Sequence, residues 1–102
     1  MPSIDQLTKL LKAEPNDAFL LYGLAQEYAK AGDVNKAVEF YDRCIGVDPK
    51  YAYAMYHKAK ALMGAGRTEE AKVAIAAGYA AAKLAKDSHA HGELDALAAE
   101  LD

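Results

Sequence analysis

The sequence predicts an all-α chain of stacked helix hairpins, about six helices in one domain. Three observations predict it: an alanine-rich composition, self-similarity at one fixed offset, and few glycines and prolines, set at discrete points. Hydrophobic residues make up 53% of the 102 residues but aromatics only 9%, so much of the apolar mass is alanine. Alanine costs least in a helix and lets helices approach closely, whereas a sheet would draw on Val, Ile and Thr.

Shifting the sequence by 34 residues carries Pro15 onto Pro49, Ala18 onto Ala52, Tyr22 onto Tyr56 and Ala25 onto Ala59. The same shift carries Gly32 onto Gly66 and Ala37 onto Ala71, so turn residues match turn residues. A period of this length marks a repeat architecture in which each unit needs neighbours to cover its apolar faces.

The first element, residues 3–13, reads as an amphipathic helix with Ile4, Leu7, Leu10 and Leu11 on one side. Ser3 and Gln6 have the spacing of a capping box. A helix over 18–31 follows Asp17, and Gly32 closes it in the left-handed conformation that glycine adopts without strain. Asp33 caps a second helix over 34–47, and Pro49 stands beyond its end. The second unit repeats the scheme, with helices over 52–65 and 68–86, Gly66 at the turn and Thr68 as the expected cap. A fresh cap at Asp87-Ser88 opens a last helix in which Ala90, Leu94, Leu97, Ala98 and Leu101 form an apolar stripe.

These residues resemble the tetratricopeptide repeat family. The first unit supplies Ala25, Tyr28, Gly32, Ala37, Tyr41, Cys44 and Pro49 at the signature positions. The second supplies Ala59, Leu62, Gly66, Ala71, Ile75 and Gly78, then departs, with Lys83 where the family places proline. The resemblance implies a right-handed solenoid: a half-repeat helix at 3–13, repeats at 18–51 and 52–85, and a capping helix at 88–101. It also implies that the first helix of each repeat lines a concave surface where partners lie. Carried over residue by residue, that surface comprises Phe19, Tyr22, Gln26, Ala29 and Lys30 from the first repeat. The second repeat contributes Tyr53, Tyr56, His57, Lys60 and Met63.

Helical spacing puts Phe19, Tyr22 and Gln26 on one face, and likewise Tyr53, Tyr56 and Lys60. Tyrosine buries much area at little rotamer cost and keeps a hydroxyl for hydrogen bonding. Tyr22 and Tyr56 serve equally well as packing residues; Phe19 and Tyr53, a turn earlier, are expected to be exposed. Lys30, Lys60 and a protonated His57 are candidates to meet an acidic group. Some relatives grip a C-terminal carboxylate with Lys and Asn, but the corresponding positions here hold Tyr22, Gln26, Tyr53 and His57.

Catalytic and metal chemistry find little footing. His89 and His91 point apart on a helix, leaving only His89 and Glu93 on one face, too few ligands for zinc. His57 has no nucleophile and carboxylate spaced for a triad. Cys44 falls where the repeat wants a small buried residue, which makes its thiol inert. Gly64-Ala65-Gly66 follows a helix and lacks the Gly-Lys-Ser/Thr ending of a phosphate loop. Glu69 and Glu70 complement a helix N-terminus.

The net charge is −3 with both signs interspersed, so the footprint of a nucleic-acid binder or a polybasic membrane patch is missing. The start of the chain lacks a leader pattern, and a single cysteine suits a reducing compartment. The reading is a cytoplasmic scaffold or adaptor, not an enzyme, with no cofactor or metal and with a protein or peptide as partner. The alternative is a homodimerising structural unit that pairs through the Ala-rich helix 68–86.

Overall fold

The computed structural model describes residues 3–101; Met1, Pro2 and Asp102, and with them the start of the leader reading, lie outside the described residues. Six helices run in order: α1 Ile4–Ala13, α2 Ala18–Lys30, α3 Val34–Val47, α4 Ala52–Gly64, α5 Thr68–Ala85 and α6 Ser88–Ala99. No strand occurs among the described residues. The hairpins α2–α3 and α4–α5 are the most extensive pairings, α3 packs on α4 to join them, and α2 also touches α4. At the ends, α1 lies on α2, and α6 lies on α5 and α4.

Local chemistry sets most helix ends. The Ser3 hydroxyl accepts from the Gln6 N–H while the Gln6 side chain accepts from the Ser3 N–H, closing the expected capping box. Asp17, Asp33 and Asp87 each accept from the backbone three residues on. Gly32 and Gly66 take φ of 84° and 75°. Around Gly32 the Asp33 N–H donates to Tyr28 O at 3.0 Å, and around Gly66 the Arg67 N–H donates to Leu62 O at 2.9 Å, two Schellman turns.

Two local expectations need correction. Thr68 is the first residue of α5, not its cap; the cap position belongs to Arg67, whose side chain makes no capping bond to the helix backbone. The Arg67 guanidinium instead holds Glu70 at 2.6 Å and Asn35 of α3 at 2.8 Å. Leu10 is 51% exposed. Only α2 covers α1, and one helix hides Leu7 and Leu11 but not a residue on the flank of their stripe.

The interior follows the small-residue pattern. Ala25, Ala37, Cys44, Ala59 and Ala71 are fully shielded from solvent. Gly78 marks the tightest approach, since a Cβ there would stand 2.8 Å from Leu94 Cδ2 and 3.4 Å from Met55 Cβ. Two apolar clusters result, one under α1–α4 around Leu24 and Tyr41, the other among α4–α6 around Leu62 and Leu94, and Ile45 packs against both. Burying each leucine contributes roughly 1.5–3 kcal/mol. No charged side chain is buried among the described residues.

Candidate functional site

Helices α2 and α4 carry, on a partly exposed side, a continuous run of rings. Tyr22 of α2 lies 5.1 Å from Tyr51, at the entry to α4, and 5.8 Å from His57. His57 lies 5.0 Å from Tyr56, and Tyr56 lies 5.9 Å from Tyr53. The run ends on α6, where His89 stands 6.4 Å from Tyr53. Tyr22, Tyr53, Tyr56 and His57 are all half-buried, each with one side packed and the other toward solvent.

Toward the C-terminal ends of α2 and α4 the surface dips into a depression of about 280 Å³. Gln26, Lys30, Tyr41, His57 and Lys60 are the polar residues that line it, and Ala29 and Ala61 leave it room. Tyr41 rises from α3 as its floor, and its hydroxyl donates to Gln26 Oε1. Lys60 Nζ sits 5.5 Å from the Tyr56 ring centroid, and Lys30 pairs with Glu27 at 3.3 Å.

Burial, and then the charge of Lys60, holds His57 below its ordinary pKa. In the free chain His57 is therefore mostly neutral at pH 7, where the sequence offers it as an acid-binding candidate only when protonated. Burial pushes the Tyr41 hydroxyl well above the ordinary range and Tyr51 up to about 12, so both remain neutral donors.

The chain thus brings together Tyr22, Gln26, Lys30, Tyr53, Tyr56, His57 and Lys60, together with Ala29. It leaves two of the sequence candidates apart. Phe19 is 71% exposed and joins neither apolar cluster nor the run of rings. Met63 packs partly against the second cluster. Tyr51 and Tyr41 were missed as groove residues. Their signal was weak, because Tyr51 sits in the turn before α4 and Tyr41 reads as core filler.

The family model described as Tetratricopeptide repeat matches residues 28–101. The chain belongs to the tetratricopeptide repeat (TPR) family. A TPR repeat-containing protein of Pseudomonas aeruginosa is 34% identical over 99 residues, which cover 97% of this chain and 94% of that protein. An uncharacterized protein of Methanocaldococcus jannaschii is 39% identical over 62 residues, or 61% of this chain and 72% of its own length. Among solved structures, the tetratricopeptide repeat domain protein of Salinibacter ruber superimposes with a TM-score of 0.72 at 27% identity, covering 83% of this chain and 94% of that one.

TPR domains form a non-enzymatic repeat fold that generally binds proteins. Beside the groove, two further clusters carry titratable groups. His89 Nε2 lies 3.5 Å from Glu93 Oε1, and His91 Nδ1 lies 3.3 Å from Asp95 Oδ2. Tyr79 donates to Asp95 Oδ1 at 2.5 Å. No group of three or more metal-ligating side chains occurs among the described residues, nor any helix long and apolar enough to cross a membrane.

Proposed function

We propose that this TPR chain is a scaffold or adaptor that holds a segment of a partner protein in the groove formed by α2, α4 and α6. The observation that carries this reading is the run of half-exposed rings from Tyr51 and Tyr22 through His57, Tyr56 and Tyr53 to His89. Tyr22 and Tyr51 pack partly against the first apolar cluster and Tyr53 and Tyr56 against the second, and each leaves the rest of its ring at the surface. Half-exposed tyrosine suits a protein segment, offering area and a hydroxyl for hydrogen bonding together.

Replacing Tyr53 or Phe19 by alanine separates binding from folding. Both variants are expected to melt within about 5 °C of the parent, since a half-exposed side chain contributes on the order of 1 kcal/mol or less. Capture of peptides from a random library falls several-fold for Tyr53→Ala and less for Phe19→Ala. Unchanged capture by Tyr53→Ala, or loss of the helical fold, defeats the groove assignment.

A second reading, self-association, draws on the outer face of α5. Val73 and Leu84 are 68% and 58% exposed, and Ala77 and Ala80 continue their line along the helix. Light scattering over a concentration series tests it. A constant monomer mass removes this reading, and a dimer that shields the tyrosines removes the first.

A further inference from the structure

The groove changes character along its helices. Toward their N-terminal halves it is tyrosine; toward their C-terminal ends it is the depression between α2 and α4, and no carboxylate lines that recess. Its two lysines and the Gln26 amide are donors. Lys60 makes no ion pair among the described residues and leans only on the Tyr56 ring. Lys30 shares its charge with Glu27 alone. The Tyr41 hydroxyl occupies Gln26 Oε1, which leaves the Gln26 amide N–H groups to donate. Two ammonium groups and a free amide around a small recess call for an anionic acceptor.

We propose that this recess receives the side-chain carboxylate of an aspartate or glutamate in the partner segment, with an apolar neighbour of that residue lying on the tyrosines. The proposal rests on the groove reading above and names the class of segment the groove selects. A side chain fits better than a chain terminus because of where the recess lies. The rings continue across three elements, from Tyr22 on α2 through α4 to His89 on α6, and the lining of the recess shares only His57 with that track. A segment that follows the rings passes the recess and reaches into it sideways.

His57 stands at the seam between the two halves. Lys60 faces it from its own helix, with Tyr53 and Tyr56 beside it. Tyr22, Gln26 and Lys30 of α2 and Tyr41 of α3 surround the same space, and His89 and Glu93 of α6 lie beyond Tyr53. A carboxylate entering the recess favours the imidazolium that burial and Lys60 disfavour. Binding then takes up a proton, so affinity rises as pH falls from about 8 through the ordinary imidazole range near about 6.5 and declines again as the ligand carboxylate titrates near about 4.

The experiment pans the full chain against a random peptide library with amidated C-termini, then measures the enriched peptides by NMR titration at several pH values. Parallel arms use the Lys30→Gln/Lys60→Gln, Tyr53→Ala/Tyr56→Ala and His57→Gln variants. Asp or Glu next to an apolar residue is expected among the winners. Changing that acid to its amide should weaken binding about threefold or more, the range of an exposed ion pair, and the lysine variant should erase the difference. His57→Gln should flatten the rise in affinity toward acid pH.

Winners that lack acids but still depend on Tyr53 and Tyr56 overturn the carboxylate proposal and leave the groove reading standing. Binding indifferent to the tyrosine variant, or no enrichment at all, overturns both. An acid-free peptide that gains lysine-dependent affinity when its C-terminus is left free assigns the recess to a terminal carboxylate instead. A flat pH profile in the parent chain refutes the coupling to His57.

Discussion

The hairpins α2–α3 and α4–α5 share a template but fill it differently. In the first, large side chains occupy the space between helices: Leu24 and Tyr41 are buried, and Tyr28 stacks on Phe40 at 5.5 Å with planes 5° apart. Both of its helices start from an aspartate whose side chain caps the backbone. In the second, neither Tyr51 nor Arg67 makes a side-chain cap bond, and Ala71, Ala74, Ala81 and Ala82 form much of the buried surface of α5. Where the first hairpin has Cys44, the second has Gly78, and Leu94 of α6 presses into the space that a side chain would fill. A repeat therefore needs its interhelical volume filled, while the residue that fills it can come from the next helix along.

Leu24→Ala should give the largest effect, because a fully shielded leucine in the hairpin of large residues leaves a cavity that rigid rings cannot collapse. A loss of about 2–5 kcal/mol is expected, read as a drop in the urea midpoint at unchanged slope. Gly78→Leu tests the other strategy. The added side chain must displace Leu94, so about 1–3 kcal/mol should be lost, and exchange protection in α6 should fall before that in α2. If α6 stays fully protected, Leu94 does not depend on the space at Gly78.

The smallest effect concerns how the two hairpins end. After α1 and α3 the chain turns at Glu14-Pro15 and Asp48-Pro49. After α5 no proline intervenes, the helix runs for 18 residues, and Lys86 closes it at φ 55°. The Asp87 N–H donates to Ala82 O at 2.9 Å and the Lys86 N–H to Lys83 O at 3.2 Å, the same turn that Gly32 and Gly66 make inside the hairpins. A lysine held there bears strain that glycine would not. Lys86→Gly should raise stability by about 0.5–1 kcal/mol after the added freedom of the unfolded chain is offset, visible as a melt higher by several degrees. No gain would mean that the Lys86 side chain contributes contacts that compensate.

Helix order, turn glycines and the shielded small residues were legible because each rests on a local pattern: a 34-residue period, an aspartate before a helix, an alanine where axes cross. The Lys86 turn was not, since nothing in a lysine announces a left-handed backbone. Leu10 was misread because its exposure depends on how many helices cover α1. The groove was only partly readable. Spacing placed Tyr22, Tyr53, Tyr56, His57 and Lys60 on one side, but the neutrality of His57 comes from burial, and the roles of Tyr41 and Tyr51 come from contacts between helices remote in sequence.

Cys44, the chain's lone thiol, sits at the heart of the first hairpin and donates to Ala18 O at 3.3 Å. Burial raises its pKa to about 12, so almost no thiolate exists at neutral pH while the hairpin is closed. An alkylating reagent must wait for α2 and α3 to part. The molecule therefore carries an internal clock: the rate of thiol labelling counts how often that hairpin breathes.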